Sequence, residues 1–162
     1  MTRSARSPDD SSVAFARIMT QLDANMLGNV HGGVIMREVD SAAGTAALRH
    51  AGRPCVTAAI DELSFIGPVH VGDILHVSAR VNDVGRTSLE VGVKVEAEPL
   101  AGGERRHTTS AYIVMVGLDE EGHPVEVPGL TVESDEDLRR QRQARIRRQI
   151  RAERLDRIRA HD

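Results

Sequence analysis

The stretch DANMLGNVHGGVIMREVDSAAG, residues 23 to 44, holds a glycine pair followed eight residues later by an acid. Gly32 and Gly33 stand where a loop is predicted to enter a helix, so their backbone N–H groups lack partners within that helix. Glycines let a ligand oxygen approach these donors, and the positive end of the helix favours developing negative charge. The pair therefore predicts an oxyanion site, with a simple tight turn as the alternative.

Asp40 lies about two turns into the predicted helix, next to Val39 and among small residues. A carboxylate buried there without a partner would cost several kcal/mol. The functional interpretation is that Asp40 lines a cleft, where it activates water or attacks an acyl carbon itself. The alternatives are an exposed side chain or a cap on a neighbouring loop. Glu38 is the rival acid, but it points to a different helix face, so only one of the two should enter a given cleft.

The elements that must position these residues follow from the hydrophobic pattern. Residues 13–20 predict a short strand and residues 21–33 a loop rich in glycine and asparagine. Residues 34–50 predict a helix with apolar or small residues on most of its circumference, as in a helix enclosed by other structure.

The rest of the central region alternates as strands do. Residues 73–84 and 88–98 alternate apolar and polar side chains, which predicts antiparallel strands with one wet face. Residues 55–66 and 110–118 predict two more central strands. The order of elements indicates an α+β fold, an antiparallel sheet packed around one long helix.

The two ends of the chain are polar. Residues 1–12 lack the apolar core of a signal peptide and predict a flexible leader. Residues 131–162 hold ten arginines and seven acids, which leaves nucleic-acid binding open. The whole chain has only three aromatic residues for base stacking, so a solvated helix is favoured. Its weak apolar stripe predicts a lightly docked or partly frayed helix, the stripe being Leu138, Ile146, Ile150 and Ile158.

Other functional classes find little support in the sequence. No apolar run approaches the roughly 20 residues of a membrane-spanning helix. Cys55 is the only cysteine, so no internal disulfide is expected, which suits a cytoplasmic protein. It is either a nucleophile or, as we prefer, a small residue buried in a strand. The histidines lack metal-ligand spacing, and no metal site is predicted.

The opening stretch, together with VTAAIDELSFIGPVHVGDILHVSARVNDVGRTSLEVGVKVEAE, closely resembles the acyl-coenzyme A thioester hydrolases of the hotdog fold. It resembles in particular the group of YciA-type and cytosolic brain-type acyl-CoA hydrolases. The resemblance covers roughly residues 13–130 and places the hotdog domain there. It implies hydrolysis of acyl-CoA to a carboxylic acid and coenzyme A, with no cofactor other than the coenzyme A of the substrate. It also implies a homodimer at least, as in the trimers of dimers formed by relatives.

The resemblance assigns roles to individual residues. It implies that Asp40 is the general base or nucleophile, and that Asn25 orients water or the thioester from a neighbouring subunit. Gly33, beside Gly32, would polarise the thioester carbonyl through its backbone N–H. His31 is interpreted as pocket wall or loop support and not as a base. The turn GRTS matches one near the coenzyme A phosphates in related enzymes, which implies phosphate contacts for its last three residues, Arg86, Thr87 and Ser88. An ordinary surface turn is the alternative for Arg86.

Two further hypotheses remain at this level. A hotdog module that binds acyl-CoA without cleaving it would have no need of an acid aligned with an oxyanion site. An enoyl-CoA hydratase would carry a D-x-N-P-x-H arrangement, whereas GNVHGG places Asn29 and His31 two positions apart and has no proline. Hydrolysis of acyl-CoA is therefore the favoured function, without nucleic acid or membrane as a partner.

Overall fold

The computed structural model describes residues 4–161. Five long strands form one antiparallel sheet in the order β2-β4-β5-β6-β3. They are β2 (Val13–Ile18), β3 (Cys55–Phe65), β4 (Ile74–Val84), β5 (Ser88–Glu98) and β6 (Arg106–Gly117). The strands predicted from alternation, β4 and β5, begin and end within one residue of the prediction. The other strands lie where they were predicted, although β6 starts four residues earlier.

Helix α2 (Gly32–Ala51) packs against one face of this sheet. Its buried stripe consists largely of alanines, which let the helix backbone approach the strands closely, and Gly52 ends it in the left-handed conformation. The sheet contributes a row of fully buried aliphatic side chains, including Leu75, Leu89, Val91 and Ile113. This interface is the core of the domain.

The prediction that α2 is enclosed on most sides is wrong for a single chain. The face of α2 that carries Met36, Asp40 and Leu48 is exposed, with Met36 42% and Leu48 51% accessible. The reason is the sheet order, because β3 ends the sheet as an edge strand and was not the central strand predicted. Within residues 4–161 no element covers the flank of α2 beside that edge, so its apolar side chains are exposed to solvent in a single chain.

The N-terminal segment differs from the predicted flexible leader. Of residues 1–12, the first three lie outside the described residues; the rest form β1 (Ala5–Arg6) and the four-residue helix α1 (Pro8–Ser11). Strand β1 pairs in parallel with β7 (Gly129–Leu130). Arg6 also donates hydrogen bonds to the carbonyl oxygens of Arg49 and His50 at the end of α2, at 2.8 and 2.9 Å. The segment thus satisfies carbonyl groups that the helix end leaves open.

The C-terminal segment forms one continuous helix, α3 (Asp135–Arg159), on the outer face of the sheet. It begins at Ser134, whose hydroxyl accepts a hydrogen bond from the Asp137 backbone at 3.1 Å. Three acids in its first turn and arginines in its last turn complement the helix dipole. These features explain why the segment is helical although its composition is strongly polar.

The contacts of α3 are the reverse of the predicted apolar stripe. Ile146, Ile150 and Ile158 are more than half exposed, whereas Arg147, Arg148 and Arg151 face the sheet. Arg147 lies 2.7 Å from Glu90 and stacks 3.5 Å from the centre of the Tyr112 ring. Further ion pairs join Arg80 to Asp137, Arg148 to Asp83 and Arg151 to Asp61. The three sheet acids, Asp61, Asp83 and Glu90, have almost no exposed side-chain area.

Ion pairs, and not apolar burial, hold α3 on the sheet. Removing one partner of a buried ion pair should therefore lower the free energy of unfolding substantially. We expect Arg147→Met to lower the free energy of unfolding by on the order of 3 kcal/mol, since it strips Glu90 of its cation. Urea denaturation at fixed protein concentration measures this. Arg142→Met, at an exposed position of the same helix, is the control and should stay within about 0.5 kcal/mol of wild type. Equal midpoints for the two variants would contradict an ionic dock.

Candidate active site

Asp40 occupies the exposed face of α2, close to the first residues of the edge strand β3. Its Oδ1 lies 2.5 Å from Thr57 Oγ1, which donates the hydrogen bond if Asp40 is ionised. The carboxylate is therefore held in one orientation, but its surroundings within one chain are open. The sequence left several alternatives open for Asp40. In a single chain, Asp40 is an exposed acid with one specific hydrogen-bond partner.

Thr57 is a site residue that the sequence did not reveal. Its hydroxyl also contacts Met115 Sδ, at 3.4 Å, and Met115 stands opposite Thr57 in the pairing of β3 with β6. Asp40 and Thr57 are 17 positions apart on different elements. No local spacing rule connects them, because only the packing of α2 against the sheet brings the two together.

The rival acid, Glu38, is engaged elsewhere. Arg17 on β2 lies 2.6 Å from Glu38 and 2.7 Å from Asp23, and Arg37 is a second cation beside Glu38, at 3.2 Å. Hydrogen bonds from the Thr20 backbone above all, with further bonds from the Thr20 hydroxyl and Arg17, lower the pKa of Asp23 against the opposing effect of burial. Arg17 thus fixes the loop before α2 to the helix and leaves Asp40 as the acid without a cationic partner.

Asn25 lies in that loop, with its side-chain oxygen committed to the loop itself. Oδ1 accepts hydrogen bonds from the backbone N–H groups of Leu27 and Asn29, at 2.9 and 3.2 Å. Gly28 takes a positive φ of 81°, which lets the chain turn back so that the N–H of Asn25 reaches the Asn29 carbonyl, at 2.7 Å. The side chain therefore presents its NH₂ group, a hydrogen-bond donor, outward.

The start of α2 differs from the expectation in one respect. His31 is the N-cap, and its Nδ1 accepts the hydrogen bond of the Gly33 N–H at 2.9 Å. The donor assigned to the thioester oxygen is thus occupied by a side chain. The N–H of Gly32 makes no hydrogen bond within residues 4–161. The Gly32 N–H is therefore the available donor, and His31 serves as the N-cap of α2 in this structure. The interpretation of His31 as pocket wall or loop support stays a prediction.

The groups of the candidate site form two separate clusters, which we call the acid half-site and the donor half-site. The acid half-site is Asp40 and Thr57; the donor half-site is Asn25, His31 and Gly32. Eight residues of helix separate Gly32 from Asp40, which is about 12 Å at 1.5 Å per residue. One chain therefore does not bring the acid to the oxyanion donors.

A cavity of about 310 Å³ adjoins the donor half-site. Its wall includes Asn25 and Gly32, and Phe65 packs directly on Gly32, 3.5 Å from the position that a Cβ would take there. The other lining residues are mainly apolar: Val30, Ile35, Ile66, Pro68 and Val69, with Asn29, Gly67 and Thr109. The cavity suits an apolar group attached close to the helix start.

The turn between β4 and β5 lies at the same end of the sheet as the acid half-site. Ser88 and Val56 both pair with Val116, so two strand spacings, roughly 10 Å, separate Ser88 from the neighbour of Thr57. Arg86 is exposed and has no acidic partner in the described chain. The Thr87 carbonyl accepts the Gly117 N–H at 3.0 Å, which fixes the turn to β6.

Arg53 is a second cation beside this turn that the sequence did not single out. Its Cδ lies 3.6 Å from the position of a Cβ on Gly117, the residue bonded to Thr87. Its Nε is buried and has no hydrogen-bond partner among the described atoms. A lone arginine between an alanine-glycine pair and a proline gives no signal of this in the sequence. Together with Arg86, it makes the turn receptive to an anion.

Two other candidates are less suited to chemistry. Burial raises the pKa of the Cys55 thiol at the start of β3, which disfavours the nucleophilic thiolate. In residues 4–161 no cluster of three or more histidines, cysteines or acids is arranged to bind a metal ion. In the same region, no helix has the length and apolarity needed to cross a bilayer.

Comparison with known proteins supplies the context for this geometry. A model of the Thioesterase superfamily matches residues 27–103. An acyl-CoA thioester hydrolase of Bacillus subtilis, YkhA, described as uncharacterized, is 35% identical over 129 residues, 80% of this chain and 75% of the relative. The cytosolic acyl coenzyme A thioester hydrolase of Rattus norvegicus is 31% identical over 140 residues, and the match spans only 37% of that longer protein.

Solved structures match over nearly the whole chain. An apo-hexameric acyl-CoA thioesterase superposes with a TM-score of 0.90 at 34% identity, over 94% of this chain and 97% of the other. An asparagine-to-alanine variant of the Staphylococcus aureus acyl-CoA hydrolase, in complex with coenzyme A, gives a TM-score of 0.90 at 30% identity, over 98% and 96% of the chains. These matches confirm the predicted hotdog fold.

The capping role of His31 leads to a testable expectation. His31→Ala should lower the free energy of unfolding by about 1 kcal/mol, because the Gly33 N–H loses its acceptor, while thioester hydrolysis survives. His31→Asn should restore most of the stability, since asparagine is an effective N-cap. Urea denaturation and a thiol-release assay measure the two properties. Loss of hydrolysis in both variants, with stability unchanged, would instead make His31 a catalytic base.

Proposed function

The chain belongs to the Thioesterase superfamily and is an acyl-CoA thioester hydrolase, and we propose that its acid half-site and donor half-site cleave the thioester together, across the interface of two copies. The observation that carries this proposal is the fixed Asp40 carboxylate, hydrogen-bonded to Thr57 and without a cationic partner. It lies about 12 Å along the helix from the donors that its chemistry needs. A second copy supplies them.

The open edge of β3 supports completion of the site by two copies. Strand β3 has eleven residues and ends the sheet within the described chain, so the backbone groups of about every second residue are unpaired on its open side. Antiparallel pairing of this edge with its copy places the beginning of one β3 beside the end of the other. Thr57 near the beginning then approaches Phe65 at the end of the second β3. Asp40 of one copy thereby approaches the Gly32 and Asn25 region of the other.

Exposed apolar side chains around both half-sites support such an interface. The loop that holds Asn25 carries Leu22, Met26 and Leu27, each at least 86% exposed in one chain. Beside Asp40 are Val56 and Ile60, which are 46% and 44% exposed. Apolar surface of this extent is unfavourable in water and is typical of association surfaces. The active unit is therefore proposed to be a dimer, assembled further as a trimer of dimers as the sequence resemblance implies.

The chemistry of this arrangement is direct. Asp40 either takes a proton from a water that attacks the thioester carbon, or attacks that carbon itself. The carbonyl oxygen becomes negatively charged and is stabilised by Gly32 N–H at the start of the second copy's helix, joined by Gly33 N–H when His31 releases it. The NH₂ group of Asn25 donates to the thioester or holds the water. The tetrahedral intermediate breaks its C–S bond, and coenzyme A leaves as the thiolate. When Asp40 is the base, the thiolate takes up the proton that Asp40 received from water, and the acid is released. When Asp40 is the nucleophile, cleavage leaves an anhydride on Asp40; a water molecule then gives its proton to the thiolate and its hydroxide to the anhydride, which releases the acid and restores the carboxylate.

Variants of a relative give independent support. Structures of the Staphylococcus aureus enzyme include alanine replacements of an asparagine, an aspartate and a threonine. These three residues are separated by 15 and 17 positions in that protein. Asn25, Asp40 and Thr57 are separated by the same intervals in this chain. The agreement favours the same three residues as site components here.

Coenzyme A is proposed to bind with its phosphates at the turn of Arg86, Thr87 and Ser88. Arg86 has no acidic partner among the described residues, and the nearby Arg53 adds positive charge, although its own Nε is buried and closed to a ligand. Guanidinium and hydroxyl groups donate the charge-assisted hydrogen bonds that phosphate oxygens accept. Hydrolysis of this kind uses the acid, hydroxyl and N–H groups already present, so the proposal includes no metal or cofactor beyond the coenzyme A of the substrate.

The acyl group is proposed to occupy the cavity beside Gly32. The thioester carbon sits at the helix start, so its acyl substituent must leave from that point, and the apolar cavity opens there. In one chain this cavity is an open cleft of about 310 Å³, and Phe65 forms part of its wall. Phe65 is therefore proposed as a residue that limits the length of the acyl chain. A cytoplasmic setting is proposed, in line with the cytosolic relative.

The shared site predicts complementation between inactive variants. Asp40→Ala and Asn25→Ala should each lose at least about a hundredfold in turnover. Asp40→Ala should fold normally, because its side chain is exposed. Asn25→Ala also removes the acceptor of two loop hydrogen bonds, so its urea midpoint is measured alongside. After subunit exchange, a mixed pair contains one intact site, so an equimolar mixture should recover roughly a quarter of the wild-type rate. Thiol release from acyl-CoA measures both effects.

The exposed Asp10, on α1, provides a matched control, since Asp10→Ala should retain wild-type turnover. Absence of any recovery after exchange, proven with differently tagged copies, would argue for a site within one chain. Tight acyl-CoA binding by the wild type with no thiol released would make the protein a binding module.

The acyl cavity predicts a change in chain-length preference. Phe65→Ala should raise kcat/KM for longer acyl chains relative to short ones by about tenfold, since two buried methylenes supply about 1.6 kcal/mol. A steady-state panel of saturated acyl-CoA substrates measures the ratio. Ile150→Ala, on the exposed face of α3, should leave it unchanged. A uniform loss with all chain lengths would place the acyl group elsewhere.

A further inference from the structure

The hydroxyl of Thr57 lies between two acceptors of very different strength. Asp40 Oδ1 is 2.5 Å from Thr57 Oγ1 on one side, and Met115 Sδ is 3.4 Å from the same oxygen on the other. A threonine hydroxyl has a single proton, so it donates to one acceptor at a time. A carboxylate oxygen is a strong acceptor and a thioether sulphur a weak one. Of these two neighbours, Asp40 is the one to which the Thr57 hydroxyl donates its hydrogen bond.

Met115 also occupies the space beneath this hydrogen bond. It is 2% exposed, lies near the end of β6, the strand next to the edge strand, and pairs with Thr57 on one side and Leu89 on the other. Its Cε is 3.9 Å from the position of a Cβ on Gly44, so the side chain bridges the sheet and α2. A buried methionine at this place leaves the inner side of the Thr57 hydroxyl in contact with sulphur, where a water molecule would accept its proton.

We propose that Met115 is a positioning residue for the acid half-site: its thioether holds the Thr57 hydroxyl from below and, as a poor acceptor, leaves its proton to Asp40. Met115 touches neither substrate nor the reacting atoms and acts through Thr57. The inference rests on the proposed role of Asp40. It explains why a flexible, sulphur-containing side chain fills a site that leucine or isoleucine would fill in an ordinary core.

Two variants of similar size separate this role from simple packing. Met115→Leu removes the sulphur but adds no acceptor, and kcat should fall by no more than about threefold. Met115→Gln introduces an amide oxygen that accepts the Thr57 proton, and kcat should fall by about tenfold or more, the equivalent of one lost hydrogen bond. KM should stay nearly constant in both, because the change does not touch the substrate.

The decisive measurement is the combination with Thr57→Val. In that background the hydroxyl is gone, so Met115→Gln should change the residual kcat by less than about twofold. A merely structural role would lower kcat by the same factor with or without the hydroxyl. Equal losses in Met115→Leu and Met115→Gln, or multiplied losses in the double variant, would overturn the proposal. The urea midpoints of all variants establish that each is folded.

A second pair of variants, with smaller changes in the side chains, tests the positioning role of Met115 if Met115→Gln does not fold. Thr57→Ser keeps the hydroxyl but loses the methyl group that restricts its rotation. Thr57→Ser and Met115→Leu should each retain most of kcat, and the double variant should lose about tenfold or more, because nothing then directs the hydroxyl. A double variant equal to the product of its singles would overturn the proposal.

The failure of this inference is distinguishable from failure of the proposed function. If Asp40→Ala and Thr57→Val both retain wild-type turnover, the acid half-site itself is wrong. If both lose turnover and the Met115 variants behave additively with Thr57, the half-site stands and only the positioning role of Met115 is refuted.

Discussion

The hydrogen bond between Asp40 and Thr57 is the constraint on which the site depends. It joins the long helix to the strand that ends the sheet, and so it fixes the acid at the border of the molecule and not in its interior. The opposite face of the helix can then be built almost wholly from alanine and packed tightly on the sheet. A carboxylate so placed costs little in a single chain, because water solvates it, and gains its low-dielectric surroundings only when another surface closes over it.

The same separation of tasks appears at the start of the helix. Arg17 gathers Asp23 and Glu38 and thereby anchors the loop before α2. The side-chain oxygen of Asn25 accepts hydrogen bonds from the backbone of that loop, which leaves its NH₂ group as an available donor. His31 satisfies the second of two adjacent backbone donors and leaves the first free. Each polar group near the donor half-site has one internal task, and what remains unbonded is what a thioester can use.

Much of the fold was predictable because its signals are local. Strict alternation located β4 and β5 within a residue, and the glycine pair and Pro54 located both ends of α2. Asp40 and Asn25 could be predicted as site residues because they stand in an ordered motif. Thr57 was not, since its proximity to Asp40 arises from helix-on-sheet packing. The capping by His31 was missed because it depends on a rotamer. The orientation of α3 was mispredicted because its isoleucines suggested a buried stripe, whereas the buried acids Asp61, Asp83 and Glu90 are scattered over three strands and attract its arginines instead.

The open edge of β3, beside the last turns of α3, bears on how many copies of the chain can associate. Beyond Arg151, which pairs with Asp61 on the edge strand, the helix continues through Arg159 with every side chain exposed. A free strand edge is a template for uncontrolled polymerisation into fibres. A copy that pairs with this edge by two-fold symmetry would use both edges at once and end such growth. Residues 152–159 hold three arginines against two acids, a net charge of only +1, so growth would be limited by closed symmetry and not by charge.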